Sequence, residues 1–179
     1  MRRHVLLTGE IGAGKSTVLR ATLQLLDVRA EGIETYYPEE RGAQTKTLYL
    51  RAYGSEAQGT LLCTLPDGDK SGIAPAFDTA AVQLLEEAQR SADVIVVDEI
   101  GRLEHGAAAY HRALKACLDG DRPVLGVIRL HKAPWADWIR LREDVLLVHV
   151  TGENRDALPG QIAAYLRAQM NQHESTSLN

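Results

Sequence analysis

The sequence predicts an α/β fold in which a mostly parallel sheet carries helices on both faces and an antiparallel β extension. Three observations point there. A glycine-rich loop, Gly9-Glu10-Ile11-Gly12-Ala13-Gly14-Lys15-Ser16, stands between a short apolar run and a segment with helical periodicity. Apolar runs at 93–98, 124–128 and 145–150 have the unbroken hydrophobicity of strands covered on both faces, and helical patterns separate them. Between the glycine loop and residue 93, β-rich runs at 32–37, 45–51 and 59–64 are joined by short polar links, which favours an antiparallel meander.

The elements follow in order. Residues 4–8 form the first strand. Val18, Leu19, Thr22, Leu23, Leu25 and Leu26 recur at helical spacing and predict a helix over 14–27. After the meander, residues 66–72 are dense in turn formers and read as a loop. From Pro75 the period is helical again, with Phe77, Ala81, Leu84, Leu85 and Ala88 on one face. A further helix turns Ala107, Tyr110, Leu114, Cys117 and Leu118 inward and ends at Gly120. The stretch 129–142 is short, basic and aromatic. A last helix starts near Asp156, with Pro159 in its first turn and Leu158, Ile162, Tyr165 and Leu166 inward. We expect one domain over 1–172 and a polar tail over 173–179.

Composition narrows the function classes. A chain of 179 residues with formal net charge −4 has no global positive field to hold a nucleic acid backbone or an anionic membrane. The apolar run before Gly9 is too short for a signal-peptide core or a membrane span, so a cytoplasmic protein is expected. Cys63 and Cys117 form no C-x-x-C and have no histidine at ligand spacing, which argues for two reduced, buried thiols rather than zinc ligands. The six histidines show no catalytic constellation, and His131 alone falls near the site proposed below.

The chemistry begins in the glycine loop, which reads G-x-x-x-x-G-K-S, the P-loop pattern or Walker A. Glycines let the backbone curl with its N–H groups inward, making an anion cradle that runs into a helix N-terminus. Nucleoside triphosphate is the natural occupant. Lys15 reaches the β- and γ-phosphates as a point charge, the Ser16 hydroxyl is one ligand of Mg²⁺, and Thr17 follows one residue into the helix. Asp98 and Glu99 end the most hydrophobic strand, where ligands of such sheets bind. Asp98 is assigned the Walker B role on Mg²⁺, and Glu99 the orientation of, or proton acceptance from, the attacking water. Glu104 either caps the following helix or acts near the metal. Arg129, directly after a core strand, is the candidate for charge on the transferring phosphoryl group. Arg155, in the loop after the last strand, suits stacking on or hydrogen bonding to the base. Trp135 and Trp138, three apart, read as packing.

The P-loop, the phrase Val96-Val97-Asp98-Glu99-Ile100-Gly101-Arg102-Leu103-Glu104 and the phrase Val150-Thr151-Gly152-Glu153-Asn154-Arg155-Asp156 together resemble the thermophile-type nucleoside triphosphatase family, whose human member is the cancer-related nucleoside triphosphatase. The similarity spans roughly residues 3–166. It implies a RecA-like P-loop NTPase that hydrolyses several nucleoside triphosphates, ATP and GTP among them, with Mg²⁺, slowly and with little base preference. Residues 32–35 and Glu40-Arg41 are similar to the family's second-strand region. Ile11 stands where members commonly have proline, and 129–142 departs from the family pattern. Two other functions share these motifs. A nucleotide or small-molecule kinase would use 129–142 as an arginine-rich lid over an acceptor, and a regulatory switch would act through a protein partner. A guanine-specific switch is disfavoured, because the [NT]-K-x-D phrase is absent. Self-association or a partner could also supply an arginine in trans.

Overall fold

The computed structural model describes the chain except residues 1, 40–42, 66–67, 69, 72, 131–132 and 177–179, and the side chains of 172–176. Its elements are β1 (His4–Thr8), α1 (Lys15–Leu26), β2 (Ala30–Tyr36), β3 (Lys46–Ala52), β4 (Thr60–Leu65), α2 (Ile73–Ala76), α3 (Val82–Ser91), β5 (Val94–Ile100), α4 (Ala108–Asp119), β6 (Val124–Ile128), α5 (Asp137–Arg140), β7 (Val145–His149) and α6 (Leu158–Thr176). A π-helical turn, Phe77–Ala81, joins α2 to α3, and a 3₁₀ turn, Pro134–Ala136, precedes α5.

Seven strands form one sheet in the order β4-β3-β2-β5-β6-β1-β7. The pairs β2·β5, β5·β6, β6·β1 and β1·β7 are parallel, while β2·β3 and β3·β4 are antiparallel. The α/β class, the mostly parallel sheet and the antiparallel extension are therefore as the sequence predicts. Residues of β1 and β6 are buried throughout because helices cover both sides. One core joins Val5, Leu7, Val96 and Val127 to Leu19 of α1 and Ile162 of α6. The other packs Leu6, Ile95 and Val97 against Phe77, Leu85 of α3 and Leu114 of α4. Among the described residues no helix is long and apolar enough to cross a membrane.

Four details depart from the sequence reading. The helix expected from Pro75 begins at Ile73 and passes through the π turn before α3. That turn aims Asp78 at the start of α4, where its Oδ1 accepts hydrogen bonds from the Ala109 and Tyr110 N–H groups at 2.7 and 3.0 Å. This is the cap of α4, so Glu104, four residues before Ala108, does not cap that helix. The described part of 129–142 from Ala133 onward is not a free lid: Ala133, Ala136 and Ile139 are buried in the core. Finally, α6 runs to Thr176, because nothing between Gln172 and Thr176 is a glycine or proline that would stop it.

His4 fastens the first strand to the α4 side. Its Nε2–H donates to the Leu118 carbonyl at 3.0 Å, and its Nδ1 accepts the Val124 N–H at 3.1 Å. Those two partners require the neutral ring, which is wholly buried. Burial lowers its pKa from 6.5 to about 4, although Asp144, 3.7 Å from Nε2, pulls upward. The sign follows from proton uptake: below pH 6.5 the unfolded ring binds a proton that the folded ring refuses, so this part of the stability is full above 6.5 and is lost as pH falls toward 4. The loss reaches about 3 kcal/mol. His4→Gln can keep both hydrogen bonds without titrating, so its stability measured by urea unfolding should fall less than wild type between pH 6.5 and 4. Parallel pH profiles would contradict this assignment.

Candidate active site

The P-loop connects β1 to α1 at the carboxyl edge of the sheet. Gly9 has φ 147°, and a Cβ there would lie 2.4 Å from the Val150 carbonyl oxygen, so only glycine lets the loop leave β1 past the end of β7. Gly14, at φ 100°, turns the chain into α1, and no side chain caps the N–H groups that begin the helix. Lys15 Nζ donates to the Gly9 and Glu10 carbonyls at 2.9 and 2.8 Å, which holds its ammonium over the loop. Ala13 turns away from the cleft and packs against the α1–α6 core.

A cleft of about 480 Å³ opens above the loop, a size that suits a small-molecule ligand. The loop and the start of α1, from Gly9 to Thr17 without Ala13, line it together with Glu99, Arg102, Arg129 and Leu130 from the ends of β5 and β6. Arg20 of α1 also lines this cleft. Ser16 Oγ donates to Asp98 Oδ1 at 3.1 Å. Asp98 is 5% exposed, and burial pushes its carboxyl up to about 6 against the downward pull of Ser16. A hydroxyl and a carboxylate at this separation could hold a hard cation such as Mg²⁺. Among the described residues no group of three or more His, Cys, Asp or Glu forms a cage for a metal.

Glu99 owes its position to a bulge. The β5·β6 register pairs Asp98 with Val127 and Ile100 with Ile128, leaving Glu99 as an extra residue. Its Oε1 accepts a hydrogen bond from Arg129 Nε at 2.6 Å, so the candidate base and the candidate arginine meet across the strand ends. Gly101 makes room for that pair, since a Cβ there would sit 3.1 Å from Arg129 Cδ. Arg155 lies apart from them, beside a slot formed by Gly14, Thr17, Val18, Ala21 and Pro159. Trp135 and Trp138 pack against the core as expected. His131 and Arg41 lie outside the described residues.

Three residues of this region are not singled out by sequence motifs. Arg20 falls one helical turn after Ser16, and its Nη2 is 3.8 Å from Glu34 Oε2. Glu34 is 3% exposed, is in register with Asp98 across β2·β5, and takes a 2.8 Å hydrogen bond from Arg51 Nε. Arg51 in turn stacks over the Tyr36 ring at 3.9 Å. Two arginines thus compensate a buried carboxylate beside Asp98, which would otherwise face a second uncompensated negative charge. The helical spacing from Ser16 to Arg20 and the family resemblance of residues 32–35 are the sequence signals that bear on this group.

Glu104 is the other buried acid. Its Oε2 accepts the Gly101 N–H at 3.1 Å, and it is 2% exposed. Burial raises its pKa from 4.5 to about 7. The folded state therefore holds a proton that the unfolded chain releases between pH 4.5 and 7, so stability from this group falls as pH rises through that window. Glu104→Gln keeps an acceptor for Gly101 and never ionises. Its melting temperature relative to wild type should rise from pH 5 to pH 8, by the equivalent of up to about 3 kcal/mol. A difference that stays constant with pH would contradict the burial argument.

This geometry can be set beside known proteins. A family model described as NTPase matches residues 4–163. The chain is 32% identical over 172 residues to nucleoside-triphosphatase THEP1 of Methanosarcina barkeri, an alignment covering 92% of this chain and 97% of that one. The crystal structure of THEP1 from Aquifex aeolicus superposes with a TM-score of 0.75 at 25% identity, covering 91% of this chain and 98% of that one. The solution structure of a human cancer-related nucleoside triphosphatase gives 0.69 at 26% identity, covering 93% and 98%. The matched span takes in most of the chain, and the chain belongs to this NTPase family, whose members named above carry the name nucleoside-triphosphatase.

Proposed function

We propose that the chain hydrolyses nucleoside triphosphates, ATP and GTP among them, to diphosphate and inorganic phosphate, with Mg²⁺, slowly and with little base preference. The 3.1 Å contact of Ser16 with Asp98 beneath the P-loop is the observation that carries the reading. It brings the hydroxyl and the carboxylate that a P-loop enzyme uses on Mg²⁺ to one point, beside the N-terminus of α1. Ser16 and Asp98 would hold the ion, which when bound would supply positive charge against the negative charge that develops on the phosphate.

The residues divide the work. Gly9, Glu10, Ile11, Gly12, Ala13, Gly14 and Thr17 contribute the loop that cradles the phosphates, and Lys15 exchanges its two carbonyl partners for phosphate oxygens. Ser16 and Asp98 hold the ion. Glu99 orients water for in-line attack and accepts its proton, once Arg129 no longer occupies its Oε1. Arg129 supplies positive charge on the same flank. Arg155, beside a mostly apolar slot, offers a guanidinium face to the base, and a slot with few fixed donors and acceptors supports weak base selectivity.

Two observations favour water over a second substrate as the acceptor. Between the P-loop and β5 the chain builds the β2–β4 extension rather than helices that could enclose an acceptor. The 129–142 stretch, the candidate kinase lid, spends Ala133, Ala136 and Ile139 on the core. Release of phosphate from ATP and GTP at comparable rates, dependent on Mg²⁺, is the expected result. Stoichiometric transfer to a nucleoside monophosphate with negligible release to water would favour a kinase. Lys15→Ala should abolish triphosphate binding without changing the melting temperature, and wild-type affinity in that variant would remove the P-loop from the mechanism. Glu99→Gln should still bind nucleotide while turnover falls about 10²- to 10⁴-fold. Full turnover in Glu99→Gln would assign the water to another group.

A further inference from the structure

We propose that Arg102 is the arginine that meets the γ-phosphate during hydrolysis, and that the buried Glu104 is a positioning residue for the loop that carries it. The proposal rests on the triphosphatase reading above and adds two residues to it. Arg20, Arg102 and Arg129 are the arginines that border the phosphate cleft. Two of them face carboxylates. Arg20 lies 3.8 Å from the buried Glu34, whose charge it helps to compensate, and Arg129 donates a 2.6 Å hydrogen bond to Glu99. Either would have to leave a charge-assisted contact to reach a phosphate oxygen, and Arg20 would leave a buried anion behind. Arg102 is the exception: among the described residues no hydrogen bond, ion pair or ring contact engages its guanidinium.

An unpartnered arginine on a loose loop would mean nothing, but this loop is fixed at every turn. The Gly101 carbonyl accepts Trp135 Nε1–H at 2.7 Å, and the Gly101 N–H donates to Glu104 Oε2 at 3.1 Å. The Arg102 carbonyl accepts the His105 N–H at 3.3 Å. The Glu104 carbonyl takes the Ala107 N–H at 2.9 Å and lies 2.7 Å from His111 Nε2, while the His111 ring stacks on Trp135 at 4.0 Å between centroids. The Glu104 carboxyl caps no helix and is removed from water, and what it does instead is clamp the turn on which Arg102 stands. A fixed backbone with an unpartnered guanidinium, directly after β5 and lining the same cleft as the P-loop, can meet developing charge without first leaving a carboxylate. Arg129, committed to Glu99 in the resting cleft, adds positive charge on the same flank once that contact opens.

Arg102→Ala, Arg102→Lys, Arg129→Ala and Glu104→Ala test the assignment in steady-state phosphate release and in binding of ADP with and without aluminium fluoride. Arg102 is exposed, so its variants should melt with wild type. Arg102→Ala should lower kcat about 10²- to 10³-fold. Its affinity for ADP should stay within about twofold of wild type, while capture of the ADP–aluminium fluoride complex is lost and added guanidinium restores part of the rate. Arg102→Lys should fall between. Glu104→Ala should lower kcat in the same direction, with ADP affinity kept and no rescue by guanidinium, since Arg102 is still present. Wild-type turnover that survives Arg102→Ala within twofold overturns this proposal alone, as does loss of aluminium fluoride capture in Arg129→Ala but not in Arg102→Ala. A wild-type protein that releases no phosphate overturns the triphosphatase reading and this proposal together.

Discussion

The hydrogen bond from Ser16 Oγ to Asp98 Oδ1 joins two residues 82 positions apart, and the sheet topology exists in a form that permits it. β1 and β5 are not neighbours, because β6 lies between them. Strands buried on both faces leave their polar ends at one edge, so the chemistry collects where β1, β5, β6 and β7 end. Asp98 and Glu99 lie in the last three residues of β5, Arg129 follows β6, Arg155 follows β7, and the P-loop leaves β1. The helices make the edge possible by covering the two cores, and they do so with ordinary apolar contacts.

Concentrating charge there has a cost that the structure meets locally. Asp98, Glu34 and Glu104 are each at most 5% exposed. Glu34 is compensated by Arg51 and Arg20, Asp98 by the Ser16 hydroxyl, and Glu104 by backbone N–H groups with no charged side chain hydrogen-bonded to it among the described residues. The last is the weakest compensation and goes with the pKa near 7. Glu99, a third exposed, keeps its pairing with Arg129 at the solvent side of the cleft.

Much of this was legible in the sequence. The P-loop, the β5 run and the meander have local signatures: glycine spacing, four successive β-branched residues and short polar links. Pairing of distant side chains has none. Asp78 reaches α4 across 31 residues, and its role as cap depends on a π turn that no period reveals. Glu104 resembles a capping residue because the sequence does not show that residues 101–107 make a turn before α4. The basic, aromatic look of 129–142 concealed three small or apolar residues that point into the core. Arg20 and Arg102 were passed over for the same reason: an arginine on a helix or loop reads as solvated until the opposite wall of the cleft is known.

The central claim is attack of water on the γ-phosphorus in this cleft. Turnover of ATP with Mg²⁺ in ¹⁸O-labelled water, followed by mass analysis of both products, tests it most directly. The account predicts one solvent ¹⁸O in each inorganic phosphate, none in ADP, and no product of either kind from Asp98→Asn. Solvent label in ADP, or phosphate that leaves on an acceptor without label, would contradict it.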